Sequence, residues 1–241
     1  MSLHAPPVEV NVDLGELEDE PPELYFLATT VNVACGGHAG DEASMRRSIA
    51  SAIVCATTIA AHPSYPDREG FGRRARFCDA AAVRDAVASQ CRALDDVARR
   101  EGARVATLKA HGALYHDVCE DEALATALLD AAAQALPDLA RVVGPPGVPF
   151  QRLVTDRGLA YLREGFADRR YDERMRLLPR DKPDALITDP HACASQGVML
   201  AKMARVDTIC VHGDTPRAVA IARAVREALA RDGLLLSRPK G

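Results

Sequence analysis

Residues 31–41 read VNVACGGHAGD, and the reading of this stretch decides the fold. It opens with an apolar, β-branched run, the composition of a buried strand. The run breaks at Cys35-Gly36-Gly37-His38-Ala39-Gly40-Asp41. Glycines there permit a sharp turn or a positive φ, and they let a substrate come close to the backbone. Asp41 is placed to cap the helix that EASMRRSIASAIVC predicts. Strand, glycine-rich turn with a histidine, then helix is a βα unit. Its turn lies at the carboxyl end of a strand, where the active sites of α/β folds gather. The plainer alternative is a tight turn whose histidine only hydrogen-bonds.

The same pattern extends in both directions. Residues 8–12 (VEVNV) alternate apolar and polar, as a strand does, and end in Asp13-Leu14-Gly15-Glu16. An acidic loop and a short helix near residues 22–28 follow. Residues 57–61 predict a third strand, ending at His62-Pro63-Ser64-Tyr65-Pro66-Asp67, and residues 68–76 a loop rich in glycine and arginine. Asp79 caps a long helix with Val83, Val87, Cys91, Leu94 and Val97 near one face. A fourth strand at 104–108 ends at Lys109-Ala110-His111-Gly112, and an alanine-rich helix covers about 121–136. Strands are predicted at 141–144, 160–163, 185–188 and 206–211, with helices up to Arg157 and over 191–203. The last strand ends at His212-Gly213-Asp214-Thr215-Pro216, where Thr215 as cap and Pro216 at the first helical position start the final helix. Alternation of this kind implies a parallel sheet flanked by helices. Its count suits one (β/α) barrel over residues 1–241, whole or incomplete; a doubly wound open sheet fits the same pattern.

Composition narrows the function. A net charge of −4 gives no electrostatic reason to expect nucleic acid or an anionic membrane. Trp is absent and aromatics make up 4%, which argues against stacking platforms. The cysteines are Cys35, Cys55, Cys78, Cys91, Cys119, Cys193 and Cys210, an odd number with no CxxC pair. That speaks against a disulfide framework or a thiolate zinc site and for a reducing compartment. With no signal-peptide pattern and no run of about 18 apolar residues, the expected location is the cytoplasm.

Reactive residues recur just after the apolar runs: Asp13 and Glu16, then His38 and Asp41, His62 and Asp67, Lys109 and His111, Asp168 and Arg169, and His212 and Asp214. In a barrel these strand ends share one mouth, and histidines at four of them, several beside a carboxylate, predict a catalytic site. Two chemistries fit. Either Asp13 acts as general base on a water while Lys109 or a protonated histidine stabilises an oxyanion, or Asp13, His38, His62 and His111 ligate a divalent metal. No HExxH or HxxxH pair supports the metal by spacing. His4 falls in the terminus, His116 and His191 at helix starts. Arg73, Arg74 and Arg76 form a basic cluster suited either to solvent or to an anion. No GxxxxGK[ST], GxGxxG or GxSxG occurs, so the chain shows no ATP site of its own.

Seven motifs in order carry a family resemblance: NVDLGE (11–16), NVACGGHAGD (32–41), AHPSYPD (61–67), GFGRR (70–74), KAHGALY (109–115), FADRRY (166–171) and CVHGDTP (210–216). Together they resemble the LamB/YcsF family over nearly the whole chain. The resemblance implies a distorted (β/α) barrel of the glycoside hydrolase/deacetylase type. It also implies the A subunit of the ATP-dependent 5-oxoprolinase, which acts with subunits B and C to open 5-oxoproline to glutamate. The site residues it implies are Asp13, Glu16, His38, Asp41, His62, Lys109, His111, His212 and Asp214. Asn32, Arg73 and Asp168 join them as expected substrate contacts. The chain departs from the family pattern after Glu16, where the segment is short, and between Gln196 and Asp207, where a hairpin is missing. Ala110 and His116 replace a usual proline and asparagine, and Gly37 replaces a usual aromatic, which predicts a wider pocket.

The leading expectation is therefore a hydrolase opening a cyclic amide, with ATP handled by partners. The alternatives are a metal-dependent deacetylase-like hydrolase and a non-catalytic scaffold subunit. Expected partners are subunits B and C and a small-molecule substrate, with a homo-oligomer also allowed.

Overall fold

A computed structural model of the chain describes residues 5–74 and 79–236; His4, Arg76 and Cys78 lie outside them. The elements run β1 (Glu9–Leu14), α1 (Glu23–Leu27), β2 (Thr30–Ala34), α2 (Glu42–Val54), β3 (Thr58–His62), α3 (Ala80–Arg100), β4 (Val105–Lys109), α4 (Ala113–Glu120) and α5 (Glu122–Ala135). They continue with β5 (Arg141–Gly144), α6 (Pro149–Asp156), β6 (Ala160–Phe166), α7 (Pro190–Lys202), β7 (Thr208–His212) and α8 (Ala218–Arg231). The strands form a closed parallel barrel in sequence order, with β7 against β1. Closure removes both sheet edges and excludes the open doubly wound sheet.

The alternation in β1 has a direct structural meaning. Val10, Val12 and Leu14 belong to the hydrophobic core, while Glu9, Asn11 and Asp13 bond across the barrel interior. The apolar half of each strand packs outward: Val31 and Val33 of β2, Ile59 and Ala61 of β3, Leu108 of β4, Ile209 and Val211 of β7. Each such side chain, fully buried, contributes roughly 1.5–3 kcal/mol, less for alanine. On α3, Val83, Val87, Cys91, Leu94 and Val97 are all buried, and this helix packs along α5, whose alanines allow close approach. Asp41 caps α2, accepting from the Ser44 amide at 2.8 Å in a reciprocal capping box.

Three local expectations are corrected. Residues 185–188 form no strand of the barrel. β6 pairs directly with β7, so no place is left in the sheet. Leu186 makes only an isolated antiparallel bridge to Arg169, within the long connection from β6 to α7. Thr215 does not cap α8, which starts after Arg217 without a side-chain cap; its hydroxyl is drawn instead to Asp168. His116 lies inside α4 rather than at a helix start, because a helix that the alanine pattern hid begins directly after Gly112.

Candidate active site

The barrel interior is a column of polar side chains, where many barrels pack branched apolar residues. At the amino end of the strands, Arg141 Nη1 donates to Glu9 Oε1 at 2.7 Å and its Nε to Thr107 Oγ1 at 3.1 Å. One level up, Asn11 Nδ2 donates to Glu164 Oε1 (3.0 Å) and Thr208 Oγ1 (2.8 Å). Asn32 Nδ2 donates to Asn11 Oδ1 and Asp13 Oδ1, both at 2.7 Å. Lys109 Nζ sits between two carboxylates, 2.8 Å from Asp13 Oδ1 and 2.9 Å from Glu164 Oε1. It also lies 3.3 Å from Asn11 Oδ1 and 3.2 Å from Cys210 Sγ. An ammonium has three protons, so its capacity is filled. Burial alone would raise the Asp13 pKa, but Lys109 and then His62 hold it well below the usual carboxylate range. Burial likewise opposes the Lys109 charge, and the Asp13 carboxylate more than offsets it.

Above Asp13 three histidines meet Glu16. His62 Nδ1 lies 2.8 Å from the Lys109 carbonyl, and His111 Nε2 lies 3.0 Å from the Phe71 carbonyl. A carbonyl only accepts, so each of these nitrogens carries the ring hydrogen. When both rings are neutral, their other nitrogens, His62 Nε2 and His111 Nδ1, present lone pairs to each other across 3.0 Å. Glu16 Oε1 is 3.0 Å from His38 Nε2, 3.3 Å from His111 Nδ1 and 3.9 Å from His62 Nε2. His38 stacks on His111 with centroids 3.6 Å apart. Burial, then the Asp13 and Asp214 charges, push Glu16 well above its usual pKa. Burial and the neighbouring imidazoles hold His38 and His111 well below theirs. One proton on Glu16 satisfies one imidazole and leaves the His62–His111 pair opposed. Glu16, His38, His62 and His111 can each offer a ligand atom within 4.8 Å of the others, a donor set that fits zinc or a similar divalent ion.

A second pair faces Asp13 from β7. His212 Nδ1 donates to Asp168 Oδ1 at 2.9 Å, and Asp168 also accepts from the His212 amide (3.0 Å) and Thr215 Oγ1 (2.7 Å). Burial would raise the Asp168 pKa, but His212 and these hydrogen bonds lower it. With its Nδ1 hydrogen so held, His212 turns Nε2 toward Asp13 Oδ2, 3.8 Å away. A carboxylate orienting an imidazole is the arrangement used to move protons in many hydrolases. Phe166 lies nearly parallel to the His212 ring, with centroids 5.5 Å apart.

Asp13, His62, Lys109, His111, Phe166 and His212 line a cleft of about 1460 Å³ at the carboxyl ends of the strands. Asp13, Glu16, His38, His62, Lys109 and His111 converge, and Asn32 lies beneath them. Asp168, His212, Asp214 and Arg73 gather on the β6–β7 side, where Asp214 receives Arg73 Nη2 at 2.5 Å and Arg180 Nη2 at 2.6 Å. Asp41 stands apart at the start of α2. Gly37 does not widen the cleft. A Cβ there would collide with Gln90 Oε1 and Ser64 Oγ, because Gln90 already fills the space and bonds the Ser64 backbone. Gly112 is needed for shape: its φ is +62°, and a Cβ would run into the Gly72 carbonyl. Sequence reasoning missed Glu164, Arg180 and Asn11. Glu164 was readable, since it shares the side of β6 with Phe166, but the predicted strand stopped at Arg163.

The LamB/YcsF family model matches residues 8–240. The chain is 39% identical over 247 residues to a protein of Nocardia farcinica that is named as the A subunit of 5-oxoprolinase, covering 95% of this chain and 98% of that one. Among solved structures it is similar to the lactam utilization protein from Thermus thermophilus, with a TM-score of 0.86, 31% identity and coverage of 96% and 99%. A family 4 carbohydrate esterase from Streptomyces lividans, at 12% identity and a TM-score of 0.52, covers 96% of this chain and 92% of its own and shares the fold alone.

Proposed function

The chain belongs to the LamB/YcsF family, and on that premise we propose that it is the A subunit of a 5-oxoprolinase, opening 5-oxo-L-proline to L-glutamate. One observation carries the mechanism: the ionised Asp13 carboxylate has its Oδ2 between His62 Nε2 at 3.5 Å and His212 Nε2 at 3.8 Å. A lactam is a poor electrophile, because attack must break amide resonance. Phosphorylation of the lactam oxygen by partner subunits B and C, using ATP, supplies the activation. Asp13 then takes a proton from water as the water oxygen attacks the ring carbonyl carbon. Asp13 hands that proton to His212, which delivers it to the ring nitrogen with Asp168 stabilising the imidazolium. The hydroxyl proton follows by the same route as the C–N bond breaks, leaving the amine and an acyl phosphate. A second water hydrolyses the acyl phosphate to the glutamate carboxylate and inorganic phosphate. Lys109 is assigned the task of keeping Asp13 ionised rather than binding an oxyanion, since its protons are already taken. Glu16 and Asn32 shape the cleft around the substrate. A cytoplasmic setting belongs to the same reading; the cysteines among the described residues are free, and no helix among them is long and apolar enough to cross a membrane.

The purified chain on its own should show little ATPase or oxoprolinase activity, and adding subunits B and C should restore glutamate formation. A reconstituted mixture that releases no glutamate would remove this function from the protein.

A metal-dependent hydrolase is favoured by a separate observation, the opposed lone pairs of His62 and His111. Glu16, His38, His62 and His111 would hold the ion, which when bound would acidify a water or polarise the carbonyl. Chain purified without chelator should carry one equivalent of a divalent transition metal by elemental analysis. Chelation should lower its Tm, because an ion at 100 times its Kd stabilises by roughly 2.7 kcal/mol. His111→Ala should carry no metal. A metal-free chain whose Tm ignores both chelator and added zinc would leave the opposed lone pairs to a shared proton.

A further inference from the structure

Arg169 differs from the other cations of the cleft. It is 6% exposed, its Nη2 donates to the Leu178 carbonyl at 2.6 Å, and its Nε has no partner. Among the described residues no carboxylate lies within ion-pair distance of it. Asp168, its chain neighbour, is committed to His212 and Thr215. Asp214 is taken by Arg73 and Arg180, one carboxylate oxygen each. The backbone that presents Arg169 is fixed, because Gln196 Nε2 donates to the Phe166, Ala167 and Arg169 carbonyls. Arg73 and Arg180 thus share the Asp214 carboxylate, and Arg169 on the same wall is left without one, in a chain whose net charge is −4. Burial, then Arg180, lowers the proton affinity of Arg169, yet a guanidinium stays charged in proteins. A buried charge lacking a counterion is unfavourable, and a guanidinium fork matches a carboxylate or phosphoryl group in two parallel bonds.

We propose that Arg169, flanked by Arg73 and Arg180, is the anion-anchoring residue of the cleft, binding either the substrate carboxylate or the phosphoryl group of the activated lactam. The inference rests on the lactam reading above. Arg169, Asp13, His62 and His212 line the same cleft, so an anchored anion fixes which face of the ring meets Asp13. Arg169 acts as a specificity residue and takes no part in bond breaking.

The test compares wild type, Arg169→Met and Arg169→Lys in the complex reconstituted with subunits B and C, and in the full chain by itself. The full chain is titrated calorimetrically with 5-oxo-L-proline, with 2-pyrrolidinone (the same lactam without its carboxylate), and with inorganic phosphate. Losing a hydrogen bond to a charged group weakens binding by roughly tenfold to a hundredfold. Where the anion is the substrate carboxylate, Arg169→Met should raise KM for 5-oxo-L-proline by about that factor with kcat changed far less. Where it is the phosphoryl group, the same factor should fall on phosphate binding. Arg169→Lys should recover part of either loss. A loss confined to 5-oxo-L-proline identifies the carboxylate as the anion, and a loss confined to phosphate identifies the phosphoryl group. Equal losses for 5-oxo-L-proline and 2-pyrrolidinone, or wild-type binding of both anions by a folded Arg169→Met chain, overturn the proposal. The titrations need no turnover, so a complex that makes no glutamate still leaves the anion site tested.

Discussion

Replacing Lys109 with methionine is expected to destabilise the folded chain by about 3–5 kcal/mol, the range seen when one partner of a buried ion pair is removed. Asp13, Lys109 and Glu164 are each 2% exposed, and Lys109 Nζ touches both carboxylates within 2.9 Å. Without the ammonium, two negative charges are left inside the barrel, with Asn11 and Asn32 as their remaining side-chain amide donors. Adding Glu164→Gln should return part of the loss, because it removes one stranded charge. The contrast is Arg99, whose side chain is 46% exposed in its pair with Asp95. Arg99→Ala should change stability by less than about 1 kcal/mol, as surface pairs do. Urea denaturation at neutral pH reads all three variants. A Lys109→Met midpoint close to wild type would overturn the expectation that stripping the ammonium from these buried carboxylates is costly.

The legibility of this site follows from the distance over which each signal acts. Strands that alternate within themselves disclose their own inward face, so Asp13 and His62 were readable from their places in the runs. The helix cap at Asp41 was readable too, because its partner Ser44 is a near neighbour in the chain and the bond is local. What stayed hidden depends on partners far along the chain. Glu164 meets Lys109 only after two further strands and three helices have been laid down, and nothing near Lys109 names that partner. The opposition of His62 and His111 needs two ring tautomers, each set by a carbonyl from a different part of the chain. Residues 185–188 carry a strand-like composition, and only closure of β7 against β6 and β1 denies them a place. Asp41 shows the converse: the motif is conspicuous, but its carboxylate serves α2 and not the cleft.

Replacing Asp13 with asparagine is expected to lower kcat of the reconstituted complex by about 10²–10⁴-fold, the usual worth of a positioned general base. Asparagine keeps the shape and one carbonyl acceptor for Lys109 and Asn32, so the substrate cleft stays formed. It removes the charge that draws a proton from water and the basic Oδ2 facing His62 and His212. KM for 5-oxo-L-proline should change little, because the anion anchor proposed at Arg169 is untouched; a fall in kcat at constant KM marks an interaction made in the transition state. Combining Asp13→Asn with Lys109→Met should cost no more in kcat than Asp13→Asn alone, measured where both variants remain folded. Lys109 acts through Asp13, and residues of one network are not additive. The scaffold alternative makes the opposite demand, since a protein that only holds its partners would keep its turnover without Asp13. An Asp13→Asn complex within a few-fold of wild type would therefore end the catalytic assignment and leave this cleft a docking or binding surface.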